Sequence, residues 1–158
     1  IKVLAYDPFL TDERAKELNV ESVSLVELFK RSLVVSNHIP DIESTARTLR
    51  HEHFSEMRDG ATFINSGRGA QVVEADLIRV LENRSDLTAL LDVTLPEPPP
   101  PDSPLWQLPN VVISPHIGGT VGDEVVRLAD CVVDEYENWL AGESLSYEIT
   151  AEVLATMG

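Results

Sequence analysis

Three side chains of complementary type stand at the ends of three apolar runs. Arg68 lies in Asn65-Ser66-Gly67-Arg68-Gly69, Glu97 closes a segment that begins Asp92-Val93, and His116 lies in Ser114-Pro115-His116-Ile117-Gly118-Gly119. A planar guanidinium can hold a carboxylate through two parallel hydrogen bonds, which fixes the direction of the group bonded to that carboxylate. Histidine donates and accepts protons near neutrality. A carboxylate beside it favours the imidazolium and sets the ring's orientation. The three types together could grip a small carboxylic acid and pass a proton at the neighbouring atom. Glycines on both sides of Arg68, after a buried strand, are expected to let the backbone come close to a ligand.

Asp7 ends the first apolar run and precedes Pro8. A dinucleotide fold sets a carboxylate at this place to accept hydrogen bonds from ribose hydroxyls, although Asp-Pro by itself is a turn signal. An acid here favours NAD over NADP, because it repels a 2′-phosphate and the nearest arginine is Arg14. His51 and His53 fall in a polar helical stretch and read as structural; His-Glu-His lacks the further ligands a metal would need. Cys131 has no cysteine to pair with and sits in an apolar stripe, so it reads as a small buried hydrophobe.

Positioning these groups requires alternating elements. Apolar runs at Val3 to Tyr6, near Val20, at Leu33 to Ser36, Thr62 to Asn65, Leu87 to Val93 and Val111 to Ser114 predict strands. Helical patterns fall between them at Asp12 to Leu18, Leu25 to Lys30, His53 to Met57 and Glu74 to Glu82. Continuous apolar strands separated by helices predict an α/β fold, a Rossmann-like doubly wound parallel sheet covered on both faces. Ligands of such sheets collect beyond the carboxyl ends of the strands, and Asp7, His38, Arg68, Asp92, Glu97 and His116 all fall there. Gly122 to Leu140 carries a broad apolar stripe and predicts a long C-terminal amphipathic helix, starting near Thr120 with Asp123 three residues on as in a capping pair. Pro98 to Pro101 predicts a short extended loop.

The chain has 158 residues, of which 43% are hydrophobic and 25% charged, with a net charge of -15. That is enough chain for one sizeable core. The negative charge argues against nucleic acid and anionic membrane as partners, and no apolar run reaches the roughly 20 residues of a membrane span. The opening Ile1 to Asp7 reads as a strand and not as a signal peptide, so a cytoplasmic location is expected.

In order and flanking residues the three segments resemble the D-isomer-specific 2-hydroxyacid dehydrogenase family, of the phosphoglycerate and glycerate dehydrogenase type. His38-Ile39-Pro40, Leu105-Trp106-Gln107-Leu108-Pro109-Asn110 and Asn138-Trp139-Leu140-Ala141-Gly142 extend the resemblance over nearly the whole chain. The resemblance implies NAD as cofactor and a 2-oxo acid/D-2-hydroxy acid pair as substrate. It implies Arg68 on the substrate carboxylate and Glu97 with His116 as the proton-transfer pair. It implies Asp7, Pro40, Ser66, Gly67, Arg68, Asp92, His116, Gly118 and Gly119 beside the cofactor, with Asp92 near the nicotinamide carboxamide. Members are commonly homodimers. Gly-x-Gly-x-x-Gly is absent, and in the family it precedes the segment resembling Ile1 to Asp7. The chain therefore reads as the downstream part of a longer enzyme, entering at the second strand. Residues 1–119 would be the nucleotide-binding domain, and 120–158 a helix and loosely held tail returning to a substrate domain. An NAD-sensing binding protein or corepressor of the same fold is the alternative.

Overall fold

The computed structural model describes residues 1–154; the end of the expected tail, 155–158, lies outside the described residues. Among the described residues there are six strands and six α-helices, alternating from β1 to β5. They are β1 (Leu4–Ala5), α1 (Asp12–Glu17), β2 (Glu21–Ser22), α2 (Leu25–Arg31), β3 (Val34–Asn37), α3 (His51–Phe54), β4 (Thr62–Asn65), α4 (Glu74–Asn83), β5 (Thr88–Leu91), β6 (Val111–Ile113), α5 (Asp123–Ala141) and α6 (Ala151–Leu154). Helix starts follow local chemistry. The hydroxyl of Thr11 accepts from the Arg14 N–H, and that of Ser24 from the Glu27 N–H, so each satisfies a donor that the first helical turn leaves unpaired.

All strand pairs are parallel, in a two-stranded sheet β1-β2 and a four-stranded sheet β3-β4-β5-β6. Strand order in the larger sheet follows the sequence, so every carboxyl end reaches the same edge. Register decides the core. Val35, Phe63 and Ala89 are paired across the sheet and point into a cluster with Phe29 of α2, Phe54 of α3 and Leu77 and Leu81 of α4. Phe54 meets Phe63 edge-on with centroids 5.2 Å apart, a favoured aromatic geometry. The opposite face is different: Val34, Leu90 and Val112 are exposed. Among the described residues, then, helices cover one face of the sheet and leave the other open, against the expectation of cover on both.

His53 is buried against the Phe29 ring and takes the Arg50 N–H on Nδ1 at 3.1 Å, so its surroundings are apolar and not the polar stretch expected. Burial pushes its pKa down. Helix α5 starts at Asp123 after Gly122 at φ 60, without a side-chain cap, so Thr120 and Asp123 form no capping pair. The helix ends at Gly142 in the left-handed region, which glycine occupies without cost. It buries none of its residues, and Cys131 on it is only partly covered.

Candidate active site

Strand β5 hands over to Asp92, whose carboxylate receives three donors from the segment after β6. Oδ1 accepts from the Ser114 hydroxyl at 2.5 Å and from the Ile117 N–H at 2.9 Å, and Oδ2 accepts from the Gly118 N–H at 2.7 Å. The Ser114 hydroxyl, then the Ile117 and Gly118 amides, hold this carboxyl below the usual carboxylate range. The clamp shapes the turn that presents His116, whose φ of 53 lies in the left-handed region.

His116 Nδ1 lies 2.7 Å from Glu97 Oε1, with both side chains about two-fifths exposed. With Glu97 ionised, Nδ1–H is the donor, and Nε2 is left to exchange a proton with a ligand. The pair lines a pocket of about 370 Å³ with Asp92, Thr94, Ile113 and Trp106. Trp106 was not singled out as a site residue from sequence; its indole N–H donates to the Pro100 carbonyl at 2.9 Å, which ties the ring to the proline run after Glu97. A partly exposed aromatic beside a proline run is the signal that could have found it.

Asp7 and Pro40 come together in a second, larger cleft of about 720 Å³ at the ends of β1 and β3, lined also by His38 and Ile39. Its volume is within the ~300–1,000 Å³ usual for small-molecule sites. Asp7 Oδ1 accepts from the Phe9 N–H at 2.8 Å, so the turn reading of Asp-Pro holds, and the exposed carboxylate keeps acceptor capacity for a ligand. Most of the lining is apolar, with Leu4 of β1, Phe29 of α2, Val35 of β3 and Phe63 of β4 among it, so the cleft lies between the two sheets.

Arg68 follows β4, the neighbour of β5. Its guanidinium is exposed and donates to the Gly67 carbonyl at 2.8 Å, and it does not line the Glu97–His116 pocket. Ser66, Gly67, Gly118 and Gly119 line neither cleft. Ser66 is nonetheless beside the His116 turn, since a Cβ on Gly118 would lie 3.6 Å from its own.

The glycines on either side of Arg68 are also approached closely by protein. A Cβ on Gly69 would lie 2.1 Å from the Thr94 carbonyl carbon, and one on Gly67 would lie 3.1 Å from Asn37 Nδ2. Close approach is real at both, but the neighbour is protein. Gly69 seats the strand that leads to Glu97 against the turn that carries Arg68. Gly69→Ala is expected to destabilise the fold by about 1–3 kcal/mol through overpacking, whereas Gly119→Ala, with no atom within 4 Å, should leave the thermal midpoint unchanged. Equal midpoints for the two variants would refute the contact.

The sequence profile described as "D-isomer specific 2-hydroxyacid dehydrogenase, NAD binding domain" matches residues 1–118. D-3-phosphoglycerate dehydrogenase of Archaeoglobus fulgidus is 34% identical over 142 residues, which cover 90% of this chain and 27% of that protein. Hydroxypyruvate reductase of Blautia hydrogenotrophica is 34% identical over 146 residues, 92% of this chain and 45% of that protein. The solved apo form of Rhodotorula graminis D-mandelate dehydrogenase superposes with a TM-score of 0.82 at 28% identity, over 95% of this chain and 44% of that one. The chain thus spans between about a quarter and a half of the length of these relatives. Parallel strands and a Glu-His pair beyond their carboxyl ends agree with a match over three quarters of the sequence: this chain belongs to the D-isomer-specific 2-hydroxyacid dehydrogenase family, residues 1–118 matching its NAD-binding domain.

Proposed function

We propose that the chain serves an oxidoreductase that interconverts 2-oxo acids and D-2-hydroxy acids with NAD. The observation that carries this reading is the 2.7 Å contact of His116 with Glu97 at the mouth of a pocket on the carboxyl edge of the sheet. Asp7 and Pro40, in the larger cleft, would hold the adenosine side of the cofactor, and the Asp7 carboxylate would disfavour a 2′-phosphate. Ser66, Gly67, Gly118 and Gly119 would flank the cofactor where the ends of β4 and β6 meet. When bound, NADH supplies the hydride for the carbonyl carbon.

The rest is the work of side chains. Arg68, swung off the Gly67 carbonyl, would hold the substrate carboxylate with two hydrogen bonds and so aim the adjacent carbonyl. His116 Nε2–H would give its proton to the carbonyl oxygen as negative charge builds there, ending neutral; Glu97 stays ionised and keeps the ring oriented through Nδ1–H. The reverse reaction returns the proton to Nε2.

Residues 120–158 would belong with a substrate domain, since α5 carries an apolar stripe and buries none of it here. By resemblance to the family, the whole protein would be a homodimer and cytoplasmic. Among the described residues no helix is long and apolar enough to cross a membrane.

The test is NADH binding to the full-length protein, followed by loss of reduced-nicotinamide absorbance with hydroxypyruvate, glyoxylate, pyruvate and phosphohydroxypyruvate. Turnover of one of these is the expected result. Binding without turnover on any acid would move the assignment to a nucleotide-sensing protein, and absence of binding would remove the role of Asp7.

A further inference from the structure

Three amide side chains are buried at the carboxyl edge of the larger sheet: Asn37 is 4%, Asn65 1% and Gln71 0% exposed. Burying an amide is costly unless its donors and acceptors are matched, and these are matched to one another and to the backbone around Arg68. Asn65 Nδ2 donates to the Arg68 carbonyl at 3.1 Å, and its Oδ1 accepts from the Gly67 N–H at 3.2 Å and from Asn37 Nδ2 at 3.0 Å. Gln71 Oε1 accepts from the Arg68 N–H at 2.9 Å, and its Nε2 donates to the Asp41 carboxylate at 3.3 Å and the Pro40 carbonyl at 3.5 Å. Asn37 Oδ1 accepts from the Ile39 N–H at 3.1 Å.

Both peptide groups of a single residue are therefore fixed by buried side chains. That residue stands between two glycines, where the backbone has the most freedom to lose. The guanidinium itself is exposed and rests on a neighbouring carbonyl, so its reach and direction are set by the main chain beneath it. Three of the network's hydrogen bonds fall on consecutive main-chain groups of this turn, the Gly67 N–H, the Arg68 N–H and the Arg68 carbonyl.

We infer that Gln71 and Asn65, braced by Asn37, are positioning residues that aim Arg68 at the substrate carboxylate and tie its turn to the Pro40 loop. This rests on the reading that Arg68 binds that carboxylate. The buried amides act through Arg68 and touch no substrate themselves.

The test is a double-mutant cycle in the full-length protein between Gln71→Met and Arg68→Ala. It is read as kcat/KM for whichever acid of the panel above is reduced best, with thermal midpoints measured alongside. Methionine keeps the length and bulk of glutamine but offers the Arg68 N–H no acceptor. Gln71→Met is expected to lower kcat/KM roughly tenfold when Arg68 is present, and by less than about twofold when Arg68 is already alanine. Effects that simply multiply would overturn the inference, because Gln71 would then support the fold without acting through Arg68. An unchanged kcat/KM for Arg68→Ala alone would instead overturn the reading of Arg68, and the two failures appear in different arms of the cycle. The paired variant Asn37→Leu/Gln71→Met removes both amides together with the 3.5 Å contact between them and leaves Asn65 on the Arg68 carbonyl. Should Gln71→Met fail to fold, this pair carries the same expectation, and multiplicative behaviour in it would equally overturn the inference.

Discussion

Replacing His116 with asparagine is expected to lower kcat for 2-oxo acid reduction by about 10²–10⁴-fold, the range associated with losing a positioned general acid. Asparagine is the informative choice because His116 sits at φ 53, a region asparagine tolerates far better than alanine. The variant removes the transferable proton without adding backbone strain, so its thermal midpoint should stay close to that of the parent. Glu97→Gln is the companion. It keeps an acceptor for Nδ1–H but removes the negative charge facing the ring, so kcat should fall by roughly tenfold or more with the ring still oriented. A kcat for His116→Asn within a few-fold of the parent would exclude His116 as the acid.

Asp92→Asn should be nearly as damaging, although the position need not touch the reacting atoms. The carboxylate accepts from the Ser114 hydroxyl and from the Ile117 and Gly118 amides. An amide of the same shape must turn an N–H toward one of these donors. The turn would then relax, and displacement of a reacting group by about 1 Å can cost on the order of 10²-fold in rate. The pH dependence has a definite sign. Asp92 is held below its ordinary value, chiefly by the Ser114 hydroxyl. Its contribution is therefore complete above the unfolded value of about 3.9 and is lost as the pH falls through the lower folded value. Acid should weaken the parent's turn while leaving the stability of Asp92→Asn less sensitive over the same interval, as thermal midpoints from about pH 2 to 5 would report. Identical pH profiles for the two proteins would show that the clamp carries no such energy.

Much of this arrangement can be read from the amino acids. Strands β3 to β6 and helices α1, α2 and α4 fall where apolar runs and helical spacing predict them; β3, β4 and β5 bury alternate residues, and α4 buries Leu77, Val80 and Leu81. The polar groups at strand ends are legible as well: a parallel sheet leaves few other places for them. What escapes is the identity of the neighbour. The glycine signal at Gly67 and Gly69 says that something comes close, but the same signal serves a cofactor and a passing peptide, and here it is Asn37 and Thr94. Asn37 and Gln71 read as loop residues because polarity suggests solvent. Only the alternation from Val35, which points Asn37 inward, hints at a buried amide. The open face of the sheet is illegible for a different reason, since an apolar residue declares that it needs cover and not which element provides it.

The Asp92 clamp also bears on how such a protein can be re-engineered. Ser114 lies 22 residues from Asp92 in sequence and Gly118 lies 26 residues away, yet the carboxylate of one segment receives the donors of the other. Segments 92–97 and 114–118 are joined by these bonds and by the Glu97–His116 contact, so a change in one bears on the other. A grafted loop carrying a new histidine environment would have to bring its own carboxylate on the adjacent strand, and libraries that vary one segment alone would sample mostly turns with nothing to hold them.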